Sequence, residues 1–414
     1  MISPPPRVAV GRLSELFAEL CPPRRIDLAG AVVLPLALPH AGAYLSWVES
    51  DLHGGLGYMT RAPLLRADPT VQRGWARSVL VFGQRYTNGW DAADRSPWEG
   101  AAPGRPWTDG VSRYARGLDY HDVLRADVRA IVARLRASIG PFQAHVAVDT
   151  GPYLEREYAW LAGLGFFGKN TCLVHERLGS GLFLGVAITS IELVDPPASL
   201  PAGAPLWESA PRASGVAASG SGPGSRCGSC RRCQDACPAN ALETPFVLDA
   251  NRCLSAWTIE RHGRFPAGEQ SKQGGLLFGC DICQAVCPWN RKVAREAAPP
   301  NPTIAPPGPE YAALAAHAEI DLADLIALGP DAHRRRFRRT PLWRAHADGM
   351  RRNALVVAAN TGRIDLCEVA ARAAREDSHA ETRAVAARAL LALESAPGAG
   401  GAQEAPDSGT ESRS

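Results

Sequence analysis

The sequence lacks the features that mark a membrane protein or a strongly charged nucleic-acid binder. Its 414 residues contain no uncharged apolar run of about 18 residues. The first ten, MISPPPRVAV, have no apolar stretch after a basic head of the kind that directs export. Lysine and arginine together number 45 against 42 acidic residues, so the formal net charge is only +3. We therefore expect a cytoplasmic protein without membrane contact, whose charge acts only through local clusters.

Lysine is also scarce, with single residues at 169, 272 and 292, so arginine is the default cation of this chain. Between Asp331 and Arg352 there are eight arginines and two aspartates, including the run HRRRFRRT. This local excess predicts a phosphate-binding surface, although a solvated helix face would have the same composition. The candidate contacts are Arg334, Arg335, Arg338, Arg351 and Arg352.

Differences in local composition and periodicity divide the sequence into five parts. Together these parts predict an α+β protein. Apolar strand-like runs such as ARSVLVFGQRY alternate with helical patterns such as YHDVLRADVRAIVARLRASI, which suggests an α/β or α+β arrangement in the N-terminal domain, of which we expect α/β. A stretch rich in Pro, Ala, Gly and Ser follows, then the cysteines, then amphipathic helices resembling stacked helical repeats, then a Gly, Ser and acid tail. The expected parts are a catalytic domain at 1–195, a flexible linker or insertion at 196–226, a cluster domain at 227–300, helical repeats at 301–395 and a disordered tail at 396–414.

Eight of the 11 cysteines lie between 227 and 287. In a reducing compartment such a group more often binds metal than forms disulfides. Cys227, Cys230, Cys233 and Cys237 have the spacing C-x2-C-x2-C-x3-C followed by proline, which is the bacterial ferredoxin run. In two-cluster ferredoxins the fourth cysteine of such a run ligates the neighbouring cluster. The sequence therefore needs a second run of the same kind.

The second run is Cys280, Cys283 and Cys287, again followed by proline, but Leu277 stands where its first cysteine should be. Cys253 is the spare thiol nearby. The arithmetic then predicts two [4Fe-4S] clusters rather than a pair of structural zinc sites, whose spacing differs. The first would be held by Cys227, Cys230, Cys233 and Cys287, and the second by Cys237, Cys253, Cys280 and Cys283.

Other motifs surround the cysteines and carry a resemblance to a known family. They are SRYARGLDYHDVL at 112–124, VDTGPYLEREYAWLAGLGFFGKNTCLV at 148–174, CLSAWTIE at 253–260, GCDICQAVCPWN at 279–290 and RRNALVVAAN at 351–360. Together, and in this order, they resemble the epoxyqueuosine reductases, which are cobalamin-dependent iron–sulfur enzymes of transfer-RNA modification. The resemblance covers residues from about 55 to 390 and departs in the first 50 residues, in the insertion before Cys227 and in the acidic tail.

The resemblance implies a function, its cofactors and its partners. The chain would reduce the epoxide of epoxyqueuosine at the wobble position of transfer RNA to queuosine, the last step of queuosine biosynthesis. It would use cobalamin and electrons from the two clusters, supplied by an external donor. The N-terminal domain would bind the corrinoid, the helical HEAT-like repeats would bind the anticodon stem-loop, and the protein would be a monomer.

Asp149 is the candidate catalytic residue. It follows the apolar run AHVAV, as catalytic side chains at sheet edges do, but DTGPYLE could equally begin a helix with this aspartate as its cap. The resemblance implies that Asp149 is the proton donor, which requires a desolvated pocket to keep its carboxyl partly protonated. The resemblance also places five residues near the cobalamin, namely Tyr114, Arg156, Lys169, Asn170 and Ser255.

Two alternatives remain open at this stage. A reductive dehalogenase-like enzyme would also combine a corrinoid with two clusters, but such proteins usually carry an export signal and a tyrosine-centred acid site. A ferredoxin-type electron carrier would need the clusters and a docking surface but no catalytic domain. Corrinoid bound to the purified protein would exclude the electron carrier. An assay for epoxide reduction in transfer RNA, compared with one for halide release, would distinguish the two enzymes.

Overall fold

The computed structural model describes residues 4–90, 107–195, 206–208, 226–261, 267–299, 302–318 and 321–395. The expectations for the tail and for most of the 196–226 segment fall outside these residues. The strands are β1 (Arg7–Ala9), β2 (Leu28–Val33), β3 (Ser78–Arg85), β4 (Ala144–Ala147), β5 (Phe166–Phe167), β6 (Leu173–Val174), β7 (Leu182–Thr189), β8 (Glu192–Val194) and β9 (Trp207–Glu208). The α-helices are α1 (Val10–Leu20), α2 (Ala41–Glu49), α3 (Gly57–Thr60), α4 (Pro63–Ala67), α5 (Tyr120–Ile139), α6 (Glu155–Leu161), α7 (Arg232–Asp235), α8 (Leu254–Ile259), α9 (Ile282–Ala285), α10 (Pro288–Ala297), α11 (Ala315–Ala318), α12 (Leu322–Ile326), α13 (Pro330–Phe337), α14 (His346–Asn360), α15 (Cys367–Glu376) and α16 (Ala380–Glu394).

The main sheet has five strands in the order β4-β7-β3-β2-β9, and every neighbouring pair is antiparallel. The N-terminal domain therefore mixes helices and strands as expected, but its strand pairing is antiparallel throughout, as in the α+β alternative that the pattern left open. The pattern does not reveal this pairing because β7 is inserted between β3 and β4. The crossover from β3 through α5 to β4 leaves these two strands parallel in direction. Strand β7 lies between them and is antiparallel to both. The chain as a whole remains a mixture of sheet and helix.

Strand β3 lies at the centre of this sheet and is buried along its whole length. Leu80 and Phe82 face a core that α1 and α5 cover, whereas Val79 and Val81 face a second core that contains residues of α6. Because both faces of the sheet are covered, the strand has no polar face to show. This explains why SVLVFG is a continuous apolar run instead of an alternating one.

A short part of the expected linker belongs to the sheet. Trp207–Glu208 forms β9, which pairs with β2 at the register Ala29 to Trp207. The indole Nε1 of Trp207 also donates to the carbonyl of Ile26 at 3.2 Å. These residues therefore extend the edge of the sheet, where a flexible linker was expected.

The C-terminal helices share one core with residues from the N-terminal region. Leu325, Phe337 and Met350 pack in it, together with Trp107 and Val111. The stretch around 107–115 thus lies against the helices although it precedes α5 in sequence. The helices in the described ranges include none with the length and apolar character needed to cross a bilayer.

Two fully buried asparagines join the cluster region to its neighbours. Asn353 of α14 donates from Nδ2 to the carbonyls of Thr258, at 2.7 Å, and Leu277, at 2.9 Å. Asn290 of α10 accepts from the amide of Ser180 at 2.7 Å and donates to its hydroxyl at 2.9 Å. Each side chain satisfies backbone or hydroxyl groups that burial would otherwise leave unpaired. The cluster region is therefore fixed on one side to the helices and on the other to the sheet domain.

Candidate functional site

The cysteine region contains two similar one-turn helices, α7 and α9, each placed between cysteines of one run. All eight cysteines are free thiols rather than disulfides. Gly279, just before Cys280, has a φ of 73°, and a Cβ there would overlap the hydroxyl of Ser112, so the loop requires glycine. Among the residues that the structure describes, no three His, Cys, Asp or Glu side chains are grouped to hold a single metal ion.

The thiols around Cys233 and those around Cys280 fall into the two predicted groups. Burial raises the pKa of Cys233 to about 11, and the thiols that add to this effect are Cys227, Cys287 and Cys230. Burial also raises the pKa of Cys280, whose neighbouring thiols are those of Cys253 and Cys237. The spacing arithmetic joined the same residues, including the distant Cys253.

Cys283 lies between the two groups. Burial raises its pKa, and its neighbouring thiols include Cys280 and Cys253 of its own group, Cys233 of the other and Cys172 outside both. Burial raises the pKa of the Cys172 thiol to about 12. The two groups of thiols are therefore adjacent, which a short path for electrons requires.

The hairpin of β5 and β6 contacts both cysteine loops. Lys169, in its turn, donates from Nζ to the carbonyls of Gly228, at 2.7 Å, and Cys230, at 2.9 Å. Asn170 is buried, accepts from the amide of Cys172 at 3.3 Å and reaches the carbonyl of Cys283 at 3.4 Å. The Lys169 ammonium thus binds the first cysteine loop, and the cobalamin-facing role expected for it stays a prediction.

Asp149 lies two residues after the end of β4 in a tight turn with a φ of 54°. Its Oδ2 accepts from the hydroxyl of Tyr120 at 2.6 Å and lies 3.5 Å from Nε2 of His121. Helix α6 begins later, at Glu155, and its N-cap is Leu154. Asp149 is therefore not the cap of this helix, and the alternative of a purely local capping role is wrong.

The start of α5 holds both partners of Asp149 in place. Asp119 is the N-cap and accepts from the amide of His121 at 3.0 Å and from its Nδ1 at 2.6 Å. Because a carboxylate only accepts, Nδ1 carries a proton and Nε2 is the atom turned to Asp149. The Tyr120 ring stacks on Phe183 with centroids 4.2 Å apart. These contacts fix the orientation of the hydroxyl and the imidazole.

The charge state of Asp149 differs from the sequence expectation. Desolvation alone would raise its pKa, but hydrogen bonds from His121 and Tyr120 and the charge of Arg344 outweigh it and hold the pKa well below its usual range. The same contacts act on His121. Desolvation would lower its pKa, but the carboxylates of Asp119 and Asp149 outweigh that effect and raise it. In the chain without ligands these contacts therefore favour the carboxylate form of Asp149, and the partial protonation that the proton-donor role requires stays a prediction.

Arg344 is a site residue that the sequence did not single out. It lies in the 3-10 helix Pro341–Ala345, and its guanidinium reaches Asp149 Oδ2 at 3.5 Å and Glu260 Oε1 at 3.7 Å. Burial would lower its pKa, but the charges of Glu260 and Asp149 raise it. The C-terminal region therefore contributes a cation to the turn that holds Asp149. This cation comes from a run of arginines in which no spacing distinguishes it.

Glu155 is a second carboxyl that the sequence did not indicate. Burial, followed by the charge of Asp149, raises its pKa to about 8. Its Oε1 and the Nε of Arg66 are buried atoms without a hydrogen-bond partner in the described part of the chain. Buried polar atoms of this kind are suited to a polar ligand.

The remaining cofactor candidates are spread out. Tyr114 is close to the Asp149 network, with its ring 6.0 Å from that of Tyr120, and burial raises its pKa. Arg156 is exposed and donates to the carbonyl of Thr171. Ser255 lies in the first turn of α8, and its amide contributes to the surroundings of Cys253. Of the candidates, only Tyr114 is brought to Asp149.

The arginine surface is smaller than the sequence indicates. Arg334, Arg335 and Arg338 are exposed at and just after the end of α13. Arg351 and Arg352 are 7% and 3% exposed and cannot reach a phosphate.

Both buried arginines have structural partners instead. Arg351 pairs with Asp377 at 2.8 Å and donates to the carbonyl of Leu328 at 2.8 Å, and Arg352 donates to the carbonyl of Trp257 at 2.9 Å. Their assignment as RNA contacts is wrong because α14 is the central helix of its region and is covered along most of its length.

The eight cysteines, with a separate group of polar side chains around Asp149, are the features of an iron–sulfur oxidoreductase. A family model described as "4Fe-4S double cluster binding domain" matches residues 226–290. A second, described as "Epoxyqueuosine reductase QueG, DUF1730", matches residues 66–150.

Similar proteins agree with these matches. The epoxyqueuosine reductase of Burkholderia pseudomallei is 35% identical over 299 residues, 69% of each chain. A crystal structure of epoxyqueuosine reductase with an epoxyqueuosine-modified tRNA-Tyr stem loop has a TM-score of 0.74 and 25% identity, covering 93% of this chain and 91% of that one. A Bacillus subtilis epoxyqueuosine reductase, with its catalytic aspartate loop swung out of the active site, has a TM-score of 0.71 at 25% identity and the same coverage. This chain belongs to the epoxyqueuosine reductase family, so the resemblance drawn from the motifs is confirmed.

Proposed function

We propose that this protein reduces the epoxide of epoxyqueuosine at the wobble position of transfer RNA and releases queuosine-containing transfer RNA. The observation that carries the proposal is the position of Asp149. Its carboxylate is contacted by Tyr120 and His121 of the sheet domain and by Arg344 of the C-terminal helices. Arg344 also reaches Glu260, at the end of the helix that Cys253 begins. A proton-transfer group thus lies where the catalytic, cluster and helical regions meet.

The reaction determines which groups the protein needs. Removing the epoxide oxygen as water and leaving an alkene takes two electrons and two protons, and no amino-acid side chain supplies those electrons. Cobalamin, when bound, supplies a reductant or nucleophile for the epoxide carbon. Two [4Fe-4S] clusters supply electrons one at a time from an external donor. We assign the first cluster to Cys227, Cys230, Cys233 and Cys287, and the second to Cys237, Cys253, Cys280 and Cys283.

The residues near Asp149 suit a large polar cofactor. Arg66 Nε and Glu155 Oε1 are buried without partners in the described ranges, and Tyr114 adds a buried phenol. We propose that these groups, with Asn170 and Ser255 beside the cysteine loops, line the cobalamin site, and that Arg156 contacts its rim. Their role is to bind and orient the cofactor and to exclude water.

Asp149 acts as the proton donor in this proposal. Protonated on Oδ2, it gives that proton to the departing epoxide oxygen. The Tyr120 hydroxyl, 2.6 Å away, and the His121 imidazole hold the carboxyl and are placed to return a proton to it. Since the chain without ligands favours the carboxylate, the donor must acquire its proton when substrate binds.

The C-terminal helices are the proposed RNA-binding region. Arg334, Arg335 and Arg338 are exposed and would contact backbone phosphates of the anticodon stem-loop. Trp343, next to Arg344, is 37% exposed and offers a ring on which an unstacked base could pack. We propose that α14, α15 and α16 are HEAT-like repeats that support this surface in a monomeric protein, with α16 packed on both α14 and α15.

The alternatives of a reductive dehalogenase-like enzyme and of an electron carrier are not favoured, because the matched relatives are named epoxyqueuosine reductases. The test is anaerobic reconstitution with iron, sulfide and cobalamin, followed by reduction in the presence of an epoxyqueuosine-modified stem-loop. Conversion to queuosine that depends on added cobalamin is expected. Halide release from an organohalide without epoxide reduction would contradict the proposal, as would a reconstituted protein that retains no corrinoid.

A further inference from the structure

Three arginines of the N-terminal domain bind oxygen atoms of the turn that follows Asp149. The contacts are Arg125 Nη2 to the hydroxyl of Thr150 at 2.9 Å, Arg66 Nη1 to the carbonyl of Gly151 at 3.4 Å, and Arg73 Nε to the hydroxyl of Tyr153 at 3.0 Å. All three oxygens are neutral. Among the residues that the structure describes, none of these arginines forms an ion pair with a carboxylate. Arg66 is engaged further, because it also donates to the carbonyl of Tyr58 at 2.7 Å and its Nε is buried.

Arg129 continues this group along α5. It is exposed and lies one helical turn after Arg125, on the same side of the helix. His145 of β4 is close to both Arg129 and Arg73, since desolvation lowers its pKa and these two charges lower it further. Strand β4 is at the edge of the main sheet and leads to Asp149. Arg73, Arg125 and Arg129, here called the edge arginines, therefore lie along this edge beside the Asp149 turn.

The acids of α5 leave the edge arginines positively charged. Asp127 is 3.7 Å from Arg24 and pairs with that residue instead. Asp122 is exposed in the first turn of the helix, where the helix dipole favours a carboxylate, and it forms no ion pair with a described residue. Asp122 can offset one of the three charges, so the surface stays positive.

An RNA strand brings negative charge to this place. When its wobble base reaches Asp149, the phosphates on either side of that nucleotide lie near the same turn, and each carries a negative charge. Arg344, the cation that the C-terminal region places there, already lies 3.5 Å from one carboxylate and 3.7 Å from another. The edge arginines have neutral partners, so a phosphate offers them stronger, charge-assisted hydrogen bonds. Their charge therefore matches the backbone of the substrate.

We propose that Arg73, Arg125 and Arg129 form a second phosphate-binding surface, on the N-terminal domain, which holds the RNA strand beside the wobble nucleotide. This inference rests on the proposed function and adds a surface separate from the arginines of α13. Arg125 and Arg129 are four residues apart on one helix, so their Cβ atoms are about 5–6 Å apart and two neighbouring phosphates can be contacted. The anticodon loop is then held by the sheet domain as well as by the C-terminal helices.

The salt dependence of binding tests this surface without turnover. The probe is a fluorescently labelled, epoxyqueuosine-modified stem-loop, titrated with the cluster- and cobalamin-loaded protein in the absence of reductant. Arg129→Gln should weaken binding and lower the slope of log Kd against log salt concentration by about 0.7, the contribution of one phosphate contact in a single strand. Arg125→Gln combined with Arg129→Gln should lower the slope by about 1.4.

Arg134→Gln is the matched control. Arg134 is exposed on the same helix, but it lies nine residues after Arg125 and therefore on the opposite side. The substitution removes the same charge, and the slope should remain that of the wild-type protein. Circular dichroism and iron content establish that each variant is folded and loaded.

A set of stem-loops with one neutral methylphosphonate linkage each identifies the contacted phosphate. In the wild-type protein, the linkage that faces Arg129 should weaken binding when it is neutral. In Arg129→Gln the same linkage should cost little or nothing, because its partner is already absent. In Arg134→Gln the cost should be that of the wild-type protein.

Equal salt slopes for the wild-type, Arg129→Gln and double-variant proteins would overturn the inference, as would a loss that Arg134→Gln shares. So would a methylphosphonate cost that is the same with and without Arg129 at every linkage. The edge arginines would then serve only to keep the edge of the sheet from pairing with other chains. In that case reduction of the epoxide by the wild-type protein would leave the proposed function standing. Binding as expected without epoxide reduction would contradict the proposed function alone.

Discussion

Replacing Asn353 with alanine should weaken the joint between the C-terminal helices and the cluster region. Asn353 is fully buried and donates to the carbonyls of Thr258 and Leu277 at 2.7 and 2.9 Å. Without it, two buried carbonyls lose their donors, and each unsatisfied group costs about 1–3 kcal/mol. The expected loss is therefore about 2–6 kcal/mol in the free energy of unfolding of the helices. The Arg352 guanidinium, which bonds Asn353 Oδ1 at 2.9 Å, loses a partner as well.

The assay is denaturant unfolding of the reconstituted protein, followed by circular dichroism for the helices and by visible absorbance for the clusters. Asn360→Ala is the matched control. It lies on the same helix and also donates to two carbonyls, those of Gln270 and Gly274, but it is exposed, so water replaces the lost bonds. Its cost should be about 0.5 kcal/mol or less. Equal losses in the two variants, or no loss in Asn353→Ala, would refute the reasoning from burial.

Three further substitutions test the proposed site. Asp149→Asn should leave iron content and RNA affinity near normal and lower turnover by about 10²-fold or more, the scale of general acid catalysis, because an amide cannot donate this proton; near wild-type turnover would remove Asp149 from the mechanism. Cys253→Ala should reduce the iron content from about eight to about four and leave one cluster's spectrum intact, whereas two unchanged clusters would refute the ligand assignment. Changing Arg334, Arg335 and Arg338 to Glu should weaken stem-loop binding and flatten its salt dependence, because fewer counterions are released, and unchanged affinity at low salt would make this surface a solvated helix face.

The cysteine groups were the most predictable part of the molecule. Ligand spacing is a local property, since a C-x2-C-x2-C loop can surround one corner of a cluster whatever the rest of the fold. Elimination predicts that the distant Cys253 completes the second set of ligands, and its thiol neighbours are Cys237 and Cys280. The spacing could not show that Lys169 binds the first loop, because that contact depends on the β5–β6 hairpin.

The sheet shows where local patterns stop being informative. The succession of β3, α5 and β4 was visible in the sequence, and the crossover is present. The insertion of β7 between the two strands was not visible, because all three are apolar runs and nothing in their periodicity fixes which pairs form. The five-stranded sheet therefore has antiparallel pairing that the alternating pattern did not indicate.

Charge and burial depend even more on long-range contacts. The run of arginines predicted one surface, but α14 turns Arg351 and Arg352 into the interior while α13 exposes Arg334 and Arg335. The low pKa of Asp149 likewise depends on hydrogen bonds from His121 and Tyr120 and on the charge of Arg344, which packing of the C-terminal region brings to the Asp149 turn. The sequence could state only that a proton-donor role requires a partly protonated Asp149, because the contacts of its carboxyl come from distant parts of the chain.

The most direct test of the account is the identity of the wobble nucleoside in cells that lack their own epoxyqueuosine reductase and express this protein. Transfer RNA from such cells accumulates epoxyqueuosine, and nucleoside mass spectrometry distinguishes it from queuosine by one oxygen atom. The account predicts queuosine in cells that express the wild-type protein with cobalamin supplied, and epoxyqueuosine in cells that express Asp149→Asn. Persistence of epoxyqueuosine with a wild-type protein that is folded and loaded with both clusters and cobalamin would contradict the central claim.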